Sequence, residues 1–170
     1  IAQQVLLRSN DLGNTGDVVS LLSGTQLEAT HATIIGNGEG RGVTVGASGT
    51  TSMAQVTNSV VANVADSGVT SGSGGAAGVL IYTHSIVPIA PLAYLGGSAN
   101  MGVGAVVGVP IFVDSAAGDY RLKAPQPSID SGDVADTTTL DLAGKPRIVN
   151  GRSDLGAYEY QRLAPVAAVT

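Results

Sequence analysis

Short apolar runs broken by polar pairs and glycines organise this chain. The clearest are LRSNDLGN at 7–14, ATHATIIGN at 29–37, VTNSVVANV at 56–64 and YTHSIVPI at 82–89. Each holds an apolar or aromatic residue, a polar pair or triplet, and a further apolar residue, which places Leu12, Ile34, Val61 and Val87 in one register. The separations are 34−12=22, 61−34=27 and 87−61=26 residues, inside the period of roughly 20 to 50 residues that marks stacked repeats. Between them lie the β-branched runs VVSLL at 18–22 and GVTVG at 42–46 and the Gly/Ser tract SGVTSGSGGAAG at 67–78. Two or three short strands per repeat, joined by tight turns, satisfy this spacing and predict an all-β stack of about 3–4 turns. No window carries an apolar stripe at i, i+3, i+4, i+7, and glycine recurs too often for a long helix at a cost of about 1 kcal/mol each. An antiparallel sandwich is the competing architecture, but Asn-Gly and Asp-Gly hairpin signals are scarce between the runs.

The polar pair in each template predicts a bend between two strands, where a residue must tolerate left-handed backbone angles. Ser9, His31, Asn58 and His84 occupy the matching positions and form the expected bend ladder, stacked so that their polar groups bond to one another. The functional alternative makes His31 and His84 metal ligands or a general base. They stand 84−31=53 residues apart, two repeats, which is about 10 Å at the spacing of neighbouring strands. The structural role is the better reading of the pair.

Composition narrows the function classes. A chain of 170 residues with 44% hydrophobic content holds one real core. With 24 Gly, 1 Phe and no Trp, that core is built from Val, Ile, Leu and Ala. A net charge of −5 with only 12% charged residues leaves no footprint for nucleic acid or an anionic membrane surface. The absence of cysteine excludes disulfides and thiolate chemistry and suits a bacterial extracellular protein stabilised by repetitive packing. No stretch reaches the roughly 20 apolar residues of a membrane span, so no membrane insertion is expected. Residue 1 lacks an initiator Met and a signal-peptide layout, and is read as a cut inside a longer chain.

From about Leu92 the repeat gives way to PIFVD (110–114), GDYRL (118–122), PSIDSGD (127–133), DLAGKPRI (141–148) and DLGAYEY (154–160). These five strings, in this order and after repeats of the TNSVVAN type, resemble the C-terminal block of bacterial surface proteins of the "choice-of-anchor" kind. Those in turn are similar to chlamydial polymorphic outer-membrane proteins and pectate-lyase-like repeat regions. The resemblance implies a right-handed, single-stranded parallel β-helix with a C-terminal cap, secreted or displayed on the cell surface. Residues 1–92 would be its coils, 93–160 the last coil and cap, and 161–170 a tail, QRLAPVAAVT including Gln161, from which no anchor type can be read.

A cap has a physical purpose, because the last turn of a stack leaves backbone groups and apolar side chains uncovered. Pro110, Pro125, Pro127 and Pro146 remove donors there, and Phe112, Tyr120, Leu122, Ile129, Ile148, Leu155 and Tyr158 supply bulk to plug the open end. Asp119, Asp130, Asp133, Asp141 and Asp154 lie in glycine-rich turns and are expected to accept turn amides, with Arg121 and Arg147 as partners. Calcium is the sharper alternative for those five aspartates, since hard cations choose carboxylate and carbonyl oxygens. No EF-hand loop or glycine-aspartate nonapeptide supports it, so no cofactor is assigned.

Two functions fit. The first is a non-catalytic surface module, a stalk, adhesin or glycan-binding face, whose partner is a polysaccharide or cell-surface glycan and whose open N-terminal edge invites edge-to-edge self-association. The second is part of a polysaccharide lyase or glycoside hydrolase with its cleft outside this chain; fold alone does not license it. A glycosidase needs carboxylates about 5 to 10 Å apart, and the nearest approximation here is Glu28 with Glu39 or Arg41, a combination that is ordinarily solvated surface charge. GNGEGRG at 36–42 imitates a phosphate loop but lacks its Lys-Ser/Thr ending and reads as a turn.

Overall fold

The computed structural model describes residues 2–8, 16–22, 24–38, 40–46, 49–65, 69–70, 77–90, 93–94 and 97–162. Ser9, Leu12, Glu39 and the tail beyond residue 162 lie outside them. The described chain is all-β and contains no helix.

Strands come in threes. β1 (Ala2–Gln3), β2 (Leu6–Arg8) and β3 (Val19–Leu21) are followed by β4 (Gln26–Thr30), β5 (Thr33–Ile35) and β6 (Val43–Val45). Next come β7 (Ser52–Thr57), β8 (Val60–Ala62) and β9 (Val69–Thr70), then β10 (Gly78–Thr83), β11 (Ile86–Val87) and β12 (Ala93–Tyr94). β13 (Ser98–Met101) and β14 (Val106–Val107) end the series. Each strand pairs with the one three places on, giving sheets ordered β1-β4-β7-β10-β13, β2-β5-β8-β11-β14 and β3-β6-β9-β12. Every pairing within these three sheets is parallel.

The predicted register holds for three of its four members. Ile34 faces Val61, and the pairing of Ile86 with Val60 sets Val87 beside Val61. The first member differs. Leu7, not Leu12, pairs with Ile34, so the first spacing is 27 residues, the interval that also separates Asn58 from His31. AQQVLL at 2–7 and LRSNDL at 7–12 both offer an apolar residue, polar residues and a further apolar residue, and only strand pairing chooses between them.

The first and second sheets bury their residues differently. β7 and β10 alternate strictly, with Ala54, Val56, Leu80 and Tyr82 buried and their neighbours facing outward. In β5 and β8 every residue is buried, which requires cover on both faces. Ile34, Val61 and Val87 join the inner cluster with Val56 and Leu80. Ile35, Val60, Ala62 and Ile86 join a second cluster with Tyr120 and Leu155.

That second cover is the C-terminal segment. It contains two short antiparallel hairpins, β15 (Phe112–Asp114) with β16 (Asp119–Leu122) and β17 (Ile148–Val149) with β18 (Arg152–Ser153). Gly156 donates its amide to the Asn58 carbonyl at 2.8 Å, and Ala157 donates to Thr33 Oγ1 at 2.9 Å. Gly156 has φ +89°, and a Cβ there would stand 2.7 Å from Thr33 Oγ1 and 2.9 Å from Val60 Cγ2, so the backbone lies directly on the sheet. The segment expected to plug the open end is therefore clasped along the outward face of the second sheet. Tyr120, Leu122 and Leu155 are buried as expected, whereas Ile148 is exposed. In and around β14, Val103, Val107 and Val109 are exposed.

Candidate functional site

The bends between first-sheet and second-sheet strands bring the candidate residues together. His31, Asn58 and His84 have φ of 54°, 49° and 41°, and Gln4, with φ 49°, takes the place expected of Ser9. The neighbouring hydroxyls form the tighter ladder. Ser59 Oγ accepts the Ala32 amide at 3.0 Å and donates to the Thr57 carbonyl at 2.7 Å. One repeat on, Ser85 Oγ accepts the Ser59 amide at 3.1 Å and donates to the Thr83 carbonyl at 2.8 Å.

The rungs are then spoken for by different partners. Asn58 Oδ1 accepts the Asp133 amide at 2.8 Å, and its Nδ2 lies 3.5 Å from His31 Nε2. His84 Nδ1 stands 3.9 Å from Asp133 Oδ2, and its ring packs so closely on Gly104 that a Cβ there would lie 2.4 Å from Cδ2. Gln4 Nε2 donates to the Leu140 carbonyl. Each bend residue thus docks the C-terminal segment.

His31 is the most elaborated. Arg147 Nη2 reaches its Nδ1, and its Nε2 lies 2.8 Å from Asp136 Oδ2. A guanidinium can only donate, so Nδ1 accepts and the proton sits on Nε2, facing the carboxylate. Burial, then the Arg147 charge, lowers the His31 pKa to about 4 against the pull of Asp136, so the ring is neutral near pH 7. One of these partners, Arg147, lies 116 positions away in the chain, so sequence spacing gave no sign of it.

Arg147 is itself fully buried. Its Nη2 also donates to the Asp154 carbonyl at 3.1 Å and to the Gly156 carbonyl. Burial pulls its pKa down, while Glu159, Asp136, Asp154 and Asp141 pull it back. These carboxylates are tied to backbone amides. Asp154 accepts from Asp130 at 2.7 Å and Tyr160 at 2.6 Å. Glu159 accepts from Val149 at 3.2 Å and Asp154 at 2.8 Å. Asp141 accepts from Ala143, Lys145 and Glu159 at 2.9, 2.8 and 3.0 Å. Burial pushes Asp154 up to about 6 and Glu159 up to about 7 despite those bonds.

Of the five calcium candidates, Asp130 and Asp154 approach one another, joined by Glu159, with ligand atoms within 4.8 Å. Asp119, Asp133 and Asp141 stand outside that trio. Asp119 pairs with Arg121 at 2.5 Å on an exposed hairpin, and Asp133 Oδ1 accepts the Ala135 amide at 2.9 Å. In the trio, both oxygens of Asp154 and of Glu159 hold amides, and Asp130 Oδ2 accepts from Asn150 at 2.9 Å and Arg162 at 2.8 Å. A cation would have to displace these donors, and Arg147 already supplies positive charge. The chemistry of this arrangement is that of a fastening. Glu159 and Asp136 were not singled out by sequence, although the run DLGAYEY places Glu159 among turn residues.

Glu28 is exposed on the outward face of β4, opposite Gln55, and its proposed partner Glu39 lies outside the described residues. An open cleft of about 570 Å3 lies beside Asp130, between Pro125, Gln126, Ile129, Tyr160 and Arg162. No described helix is long and apolar enough to cross a membrane. Compared with protein-family models, curated proteins and solved structures, the chain matches none of them.

Proposed function

We propose that this chain is the closing part of a right-handed parallel β-helix and works as a non-catalytic module on the outside of a bacterial cell, offering a regular sheet face to a glycan. Three parallel sheets visited in turn support the β-helix reading, as does the resemblance of 110–160 to surface-protein C-termini.

The observation that carries the binding role is the outward face of the first sheet. Pairing sets Gln3, Thr30, Thr57 and Thr83 in one column, with Thr57 and Thr83 hydroxyls 2.8 Å apart. A second column holds Glu28, Gln55, Ile81 and Asn100. Hydroxyl and amide groups thus recur along the first column at about 4.8 Å, the spacing of paired strands, each able to donate and accept, while in the second column the amides of Gln55 and Asn100 alternate with Glu28 and Ile81. A linear polysaccharide, itself a periodic array of hydroxyls, suits such a face through shape and hydrogen bonding with little demand for charge. The buried carboxylates and His31 are committed to fastening the C-terminal segment, which favours binding over cleavage.

Glycan-array screening, with Gln55→Ala/Thr57→Ala as the paired control, tests this. We expect selective retention of a linear polysaccharide and at least a tenfold loss in the variant. Cleavage of a polysaccharide by this chain alone, or retention unchanged in the variant, would overturn the reading.

A further inference from the structure

The three sheets end in an unguarded edge. β12, β13 and β14 are the last strands of their sheets, and among the described residues no strand pairs with their outer sides. Proteins ordinarily protect such edges with charge. Here the sequence from Ser85 to Val113 holds no Asp, Glu, Lys, Arg or His. Exposed apolar side chains lie in and around β14 instead: Val103 and Val109 are each 76% exposed and Val107 56%. The opposite end differs, with Arg8 on β2 and Asp17 just before β3.

From these observations we infer that β13, β14 and the valines beyond them form a docking surface for a second copy of the same chain, joined tail to tail about a two-fold axis. A two-fold contact brings an identical edge against itself, so two β14 or two β13 strands meet antiparallel and each satisfies the other's free amides and carbonyls. Self-contact is electrostatically permitted because the stretch from Ser85 to Val113 brings no charge to repel its copy, although the chain as a whole is at −5. The valines then bury against each other, and the contact closes at two copies. The pairing adds to the glycan reading without depending on it: it would place two glycan-facing sheets in one rigid particle.

Sedimentation velocity across a wide concentration range, with the unaltered chain, should show a monomer passing to a dimer and no larger species. A charge placed on a two-fold meets its own copy, so Val107→Lys and, independently, Val103→Lys should each raise the dimer dissociation constant at least tenfold while leaving the far-ultraviolet circular dichroism spectrum unchanged. Because the chain has no cysteine, single replacements report the geometry. Val109→Cys should cross-link to itself with a short bifunctional reagent, and Gln3→Cys should not. A chain that stays monomeric throughout, a dimer indifferent to both lysines, or cross-linking seen only when Val109→Cys and Gln3→Cys are mixed would each overturn the inference.

Discussion

In the paired strands from Leu6 to Val107, polar groups are satisfied by the same residue type one repeat away: Thr57 by Thr83, and the Ser59 amide by the Ser85 hydroxyl. From Gly108 to Tyr160 the polar contacts that reach back to the strands join unlike partners from distant parts of the chain, as Arg147 Nη2 joins His31 and the Asp133 amide joins Asn58. Repetition lets each rung in the first region be supported by its neighbours, so an error in one rung is shared. The second region has one central guanidinium, and its buried carboxylates have no other nearby cation of that burial among the described residues. The teaching is that the repeats are distributed in their stability and the clasp is concentrated.

Breaking the clasp should therefore have the largest effect. Arg147→Met removes the buried positive charge that Glu159, Asp136, Asp154 and Asp141 act on and leaves them without it. Uncompensated buried charge costs about 3–5 kcal/mol. We expect a loss of that order in urea unfolding, accompanied by early proteolytic release of the C-terminal segment while the repeats stay intact. Simultaneous loss of both regions would show that they are not separable in this way.

A core truncation in the repeats should act differently. Leu80 is fully buried in the inner cluster, and Leu80→Ala should cost about 3 kcal/mol through lost burial and a cavity. The expected signature is a single cooperative shift of the whole transition, without early release of the C-terminal segment. Selective release in Leu80→Ala would erase the contrast.

The smallest effect is on pH dependence. His31 has its folded pKa lowered from 6.5 to about 4, so its contribution is present above pH 6.5 and is lost as pH falls toward 4. Asp154 and Glu159, raised to about 6 and about 7, work in the opposite sense: theirs is present at low pH and lost as pH rises through those values. The opposing slopes partly cancel. His31→Gln removes one of them, so its melting temperature should fall more steeply than that of the unaltered chain between pH 4 and 7. Parallel curves for the two proteins would remove His31 from the account.

Much of this architecture was legible in the chain. The all-β class followed from short β-branched runs and frequent glycine, and the alignment of Ile34, Val61 and Val87 followed from their spacing, because a repeat reports itself through period alone. The choice of Leu7 over Leu12 was not legible, since both sit in segments that fit the template and only hydrogen-bonded pairing separates them. Asp130, Asp133, Asp141 and Asp154 could be recognised as turn residues by their glycine-rich surroundings. That Asp130 and Asp154 gather with Glu159, while Asp119 stands apart with Arg121, depends on how the two hairpins fold back.

What the sequence determined by itself is local and periodic: strand-length runs, bends at His31, Asn58 and His84, and a last segment richer in proline and aspartate. Tertiary structure alone decided where that segment lies. A row of outward residues such as Thr33, Ile35, Val60 and Ala62 forms near-continuous apolar runs with Ile34 and Val61, which call for cover on both faces without saying which segment supplies it. Only the approach of Gly156 and Leu155 makes it a second core, and only that approach turns His31 from a bend residue into the neutral acceptor for a buried arginine.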